Sequence, residues 1–224
     1  MRAQSHHLEE TMQDLREQSH LLRTIAEGPA AETGDEFFAS LVTHLTRTLS
    51  VQYAIVGEVV GDQAKIIRTL AVSSGGQLVD NFEYGLAHTP CELALERTFT
   101  CYERGVQDQF LRFTRLAELG VEGYYGVPLR TKAGLVIGLL AVMDTKPLRS
   151  AEWLKSLMTV FASRAGAELQ RQQAEAAHRE SEARLRFTQF VVDYAEAGVL
   201  WADDSKRFMY ANEAACRLLG YANE

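Results

Sequence analysis

The sequence predicts an α+β fold, an antiparallel sheet flanked by helices with a long helix at each end, and three observations carry that expectation. Strand-like and helical patterns alternate between residues 35 and 148, a turn signal joins the last two strands as a hairpin, and residues 151 to 191 hold no proline and a single glycine, Gly166. A chain of 224 residues is long enough for one to two domains. Its 46% apolar and 24% charged residues exclude collagen-like, low-complexity and wholly disordered classes. A net charge of −7 repels phosphate backbones and anionic membranes, so neither nucleic acid nor a membrane is an expected partner. The longest apolar run, Leu135 to Met143, is too short to cross a bilayer, and the N-terminus is too polar for a secretory signal. A cytoplasmic location is expected. Three cysteines without a CxxC pair suit neither a disulfide framework nor a thiolate metal site.

Leu8, Leu15 and Leu22 recur every seven residues, and Ile25 extends the stripe, so residues 1–27 read as a coiled-coil helix, with 28–34 as a linker marked by Gly28, Pro29 and Gly34. Phe37, Phe38, Leu41, Val42, Leu45 and Leu49 have helical spacing, behind Thr33 and Glu36 as a capping box. Strands follow at Val51 to Val60, Lys65 to Ser73, Phe99 to Tyr102, Val121 to Leu129 and Leu135 to Asp144. Phe110, Phe113, Leu116 and Leu119, three apart, predict one helix that Gly120 ends. From Ser150 a long helix runs to Val191. Its first half is apolar enough to pack on a domain, and its Gln, Glu and Arg-rich second half wants a partner helix. A parallel homodimer is therefore expected.

The run Gly126-Val127-Pro128-Leu129, followed by Gly134 and Gly138-Leu139-Leu140-Ala141-Val142, resembles the closing hairpin of a GAF domain. Tyr84-Gly85-Leu86, Thr89-Pro90-Cys91-Glu92, Val106 to Phe110 and Gly123-Tyr124-Tyr125-Gly126 resemble the subgroup found in bacterial multidomain sensors. The resemblance covers residues 35–170. It implies a GAF-type antiparallel sheet with terminal helices on one face and a small-molecule pocket on the other. It names no ligand, and the NKxxF pattern of cyclic-nucleotide-binding members is missing from the sequence. Residues 171–186 then read as a signalling helix. Residues 187–224, with Gly198 to Asp203, Phe208 to Asn212 and Glu213 to Tyr221, resemble the start of a PAS domain. They are fewer than such a fold needs, so a truncated PAS segment is expected, with an output domain downstream in cis. Arrays of this type usually end in a histidine kinase or a diguanylate cyclase.

Candidate ligand-binding residues are Tyr84, Thr89, Cys91, Glu92, Tyr102, Phe110, Tyr124 and Tyr125. Thr89, Pro90 and Glu92 fit a helix cap, first turn and capping box. Cys91, left over, would sit at the positive end of a helix dipole, which predicts a lowered thiol pKa and a redox or electrophile sensor; a buried small hydrophobe is the plain reading. His88 and Cys91 form an HxxC pair, which is two ligands and not a metal site. The tyrosines suit either a pocket with hydroxyls pointing inward or an ordinary core. No catalytic residue, metal or cofactor is named by these motifs. The expected role is thus a non-enzymatic sensory region that binds a small molecule or reads redox state and signals through a dimeric helix. Two rivals are a cysteine-dependent GAF enzyme that reduces free methionine sulfoxide with Cys91 and Cys101, and a ligand-free dimerisation scaffold.

Overall fold

The computed structural model describes residues 32–61, 66–148 and 152–220. The expected N-terminal coiled-coil helix, most of the 28–34 linker and Ser150, the expected start of the long helix, lie outside the described residues. The chain divides into two compact units, one ending at Arg171 and the other beginning at Gln172.

In the first unit a sheet of seven antiparallel strands takes the order β3-β2-β1-β7-β6-β5, with β4 also on β2. The strands are β1 (Tyr53–Val60), β2 (Ile66–Ser74), β3 (Gln77–Val79), β4 (Glu83–Gly85), β5 (Thr100–Tyr102), β6 (Gly123–Arg130) and β7 (Val136–Asp144). The short β3 and β4, of three residues each, carry too few residues to show an alternation and are not among the expected strands. Helix α1 (Gly34–Leu49) buries Phe37, Phe38, Leu41, Val42 and Leu45 on one face of the sheet. Helix α5 (Glu152–Asp193) adds Leu154, Leu157, Met158, Phe161, Ala165 and Leu169 to the same core. Each of these side chains other than that of Ala165, taken fully from water, contributes on the order of 1.5–3 kcal/mol. Gly166 lets α5 approach closely: a Cβ there would stand 2.6 Å from the Arg130 carbonyl oxygen.

Two local expectations fail. Thr33 is the N-cap of α1 but its side chain makes no capping hydrogen bond; the Gly34 N–H donates instead to Glu168 of α5, so the long helix satisfies the end of the short one. The stretch from Phe110 to Leu119 is not one helix. It begins as irregular chain just after the four-residue turn α3 (Val106–Gln109) and holds one further four-residue turn, α4 (Arg115–Glu118). Its spacing of three fits isolated turns as well as a continuous helix. Gly120, at φ 64°, does follow the last turn in the left-handed conformation.

In the second unit, β8 (Leu200–Ala202) and β9 (Phe208–Ala211) form an antiparallel hairpin, and α6 (Glu213–Leu219) follows. Asn212 ties them together. Its buried side chain caps α6 by accepting from the Ala215 N–H at 2.9 Å, accepts from the Val199 N–H at 2.8 Å, and donates to the Val192 and Ala197 carbonyls at 2.9 Å each. Only an amide side chain both accepts and donates so many bonds, which explains asparagine at this position.

Candidate functional site

Alternation along β6 and β7 gives the sheet two unlike faces. Tyr125, Val127, Leu129, Leu140 and Val142 point to the core under α1 and α5, whereas Tyr124, Leu139, Ala141 and Met143 point to the other side. That other side is covered by α2 (Pro90–Glu96), by α3 and α4, and by the loops that join them. Between these short pieces and the sheet lies an apolar cavity lined by Ile55, Phe82, Tyr84, Pro90, Cys91, Phe113, Arg115, Leu116, Leu119, Tyr124, Ala141 and Met143. It leaves about 30 Å³ for the centres of water-sized bodies, room for roughly two waters.

Thr89 caps α2 as expected. It is buried, accepts from the Glu92 N–H at 3.2 Å and donates its hydroxyl to the Leu86 carbonyl at 2.7 Å. Glu92 reaches back one residue further than a capping box requires, accepting from the His88 N–H at 3.0 Å. The cap fixes the first turn of α2 and so places Cys91 against the cavity. There Tyr84 Oη donates to Cys91 Sγ at 3.2 Å, and Tyr124 Oη reaches the same sulfur at 3.5 Å. Gly126 makes room for the second phenol, since a Cβ at that position would lie 2.8 Å from the Tyr124 ring carbons.

The expectation of an acidified thiol is reversed. Burial raises the Cys91 pKa, outweighing the hydrogen bonds from Tyr124, Tyr84 and Thr89 that favour the thiolate. Burial likewise pushes the Tyr84 and Tyr124 hydroxyls well above the usual tyrosine value. Cys101 packs with the helix-side core and Cys91 with the opposite one, so the sheet separates the two thiols that the reductase rival needs together.

Tyr84, Cys91 and Tyr124 thus meet in one place. Tyr102 and Phe110 stand beside them, edge to face with ring centroids 5.4 Å apart, and Tyr102 lies 6.5 Å from Tyr124. Thr89, Glu92 and Phe110 line an adjoining open groove with His88 and Arg112, in which Arg112 Nη1 donates to His88 Nε2 at 3.0 Å. Tyr125 is not part of the site. It is fully buried on the helix side, its ring 5.5 Å from that of Phe99, because it follows Tyr124 directly in a strand. Phe82, Phe113 and Arg115 join the site beyond the sequence candidates: the Arg115 guanidinium lies 3.9 Å from the centre of the Phe82 ring at the cavity mouth. Phe82 reaches the cavity from the residue before β4, which pairs Tyr84 with Ile67, and nothing local in the sequence announces that pairing. Among the described residues no group of three or more His, Cys, Asp or Glu is arranged to hold a metal, and no helix is long and apolar enough to cross a membrane.

Comparison with solved structures shows the fold of the first unit. The GAF domain of a phosphoenolpyruvate-protein phosphotransferase from Acinetobacter matches with a TM-score of 0.56 at 14% identity, over 72% of this chain and 98% of that one. The corresponding domain from Coxiella burnetii gives 0.58 at 16% identity, over 73% and 98%. The chromophore-binding domain of Stigmatella aurantiaca phytochrome P1 gives 0.52 at 10%, over 68% of this chain and 59% of that one. The fold is that of GAF domains. Residues 185–224 match a family model described as a PAS domain. No curated protein sequence matches the chain significantly.

Proposed function

We propose that this chain is a sensory region of a bacterial signal-transduction protein, in which a small molecule enters the cavity beside Cys91 and Tyr124 and the event is passed to α5. One observation carries the reading: consecutive residues of β6 touch the two sides, Tyr124 the cavity and Tyr125 the core under the terminal helices. A change that moves β6 by a fraction of an ångström is felt by α5, which crosses it in close contact where Gly166 meets Arg130. The fold's use as a chromophore-binding domain in the Stigmatella phytochrome supports a ligand on it. Beyond Arg171 the helix continues to Asp193 and leads into the PAS-like segment, which is where a signal would go. The output is a histidine kinase or diguanylate cyclase in cis, the working form is a parallel homodimer in the cytoplasm, and no catalysis resides in these residues.

Helix phase provides the test. With the chain fused upstream of a reporter histidine kinase, removing the heptad Gln173 to Arg179 changes the helical phase by about 20°, whereas removing Gln173 and Ala174 turns it by roughly 200°. The first variant should keep the parent's kinase activity and the second should lock it high or low. Equal activities from both would make the helix a tether.

A further inference from the structure

We infer that the ligand of this cavity is a small uncharged molecule with an apolar body and one acceptor oxygen, of the ketone or aldehyde type, which it presents to the hydroxyls of Tyr84 and Tyr124; this rests on the reading of the cavity as a binding site. The lining is aliphatic and aromatic apart from two phenols, one thiol and one guanidinium, and among the described residues no carboxylate, amide or aliphatic hydroxyl reaches it. The two phenols therefore spend their protons on sulfur, at 3.2 and 3.5 Å. A thiol sulfur is a weak acceptor, and buried tyrosine hydroxyls ordinarily find a strong one. Two inward donors that converge on a poor acceptor mark the position where a better acceptor gains most.

Charge in the ligand is disfavoured by the same lining. An ammonium would bring donors to a site already supplied with donors and would face Arg115. A carboxylate would meet Arg115 only at the mouth, where that guanidinium is exposed and engaged with Phe82, and would leave the rest of its solvation behind. Both phenols and the thiol are neutral at neutral pH, and burial raises their pKa values further, which agrees with a neutral guest. The thiol, kept protonated and without a neighbouring base, is a soft wall and hydrogen-bond placeholder; no bond to it is formed. Size is set by the room available. A five-membered ring exceeds the room for two waters, so it enters only if Phe113 and Leu119, which flank the four-residue α4 and belong to no long element, move outward.

The test is a nuclear magnetic resonance titration of the whole chain with cyclopentanone, cyclopentane and cyclopentanecarboxylate, repeated on the Tyr84→Phe/Tyr124→Phe variant. The ketone should shift the amides around Cys91 and Tyr124, and its affinity should fall about tenfold in the double variant, the value of a hydrogen bond or two lost. Cyclopentane should bind both proteins within about twofold of each other, which also shows that the variant keeps its cavity. If the two guests respond alike to the substitutions, the acceptor-oxygen class is wrong while the cavity stands as a site. Tighter binding of the carboxylate would overturn the neutral class. If no guest shifts the cavity residues, both the class and the binding reading fail.

Discussion

The two faces of the sheet are built from the same strands and differ in what covers them. Over one face lie α1, of 16 residues, and the first turns of α5, and together they present a regular row of side chains that fills the space down to Leu45, Leu157 and Phe161. Over the other lie helices of seven, four and four residues. Helices that short cannot set down a continuous ridge, so the gaps between them are closed by single side chains such as Phe82 and Phe113, and a cavity is left. Neighbouring tyrosines report the difference. Tyr125 is core, and Tyr124 has its hydroxyl on a thiol at the cavity wall. Dense regular packing and a usable hole are thus alternatives that one strand supports on its two sides.

The largest expected effect breaks the dense side. Phe38→Ala should destabilise the first unit by about 3–5 kcal/mol in urea unfolding, and Met143→Ala on the cavity side by less than half of that, because Met143 already has a void for a neighbour. A similar loss at both positions would remove the distinction between the faces.

Next comes pH. Cys91, Tyr84 and Tyr124 all have folded pKa values above their ordinary ones, so the unfolded chain loses these protons first as pH rises. Their contribution is fully present below the ordinary cysteine value of 9.0 and is lost progressively above it. Denaturation midpoints should therefore fall from about pH 9 upward, and Cys91→Ala should delay the onset towards the tyrosine range. A flat alkaline profile would mean that these groups are solvated.

Thr89→Ala removes the cap that sets Cys91 in place and should cost about 1 kcal/mol. The smallest effect is chemical. Tyr124→Phe deletes a bond that favours the thiolate, so the Cys91 pKa should rise further and its alkylation at fixed pH should slow, while Cys101 on the other face keeps its rate.

Much of this comparison could be read from the sequence where periodicity spans many residues. The apolar spacing of Phe37 to Leu45, the proline-free run after residue 151 and the hairpin between β6 and β7 all placed the dense side. The capping preferences of Thr89 and Pro90 placed the start of α2 and with it Cys91. What escaped was long-range. Tyr124 and Tyr125 carry the same side chain, and only strand register assigns one to each face. Phe82 and Arg115 come together from segments more than thirty residues apart. The Cys91 thiol departs from the local helix-dipole rule because its pKa is governed first by burial, which depends on what the rest of the chain packs around it.

The binding reading requires the apolar cavity on the face of Cys91 and Tyr124 to be real space. A crystal of the chain pressurised with xenon measures this without regard to ligand chemistry, because xenon enters dry apolar cavities. A xenon peak in van der Waals contact with Cys91, Tyr124 and Met143 is the expected result. A peak against Phe37 or Phe161 under the terminal helices, with none beside Cys91, would contradict it.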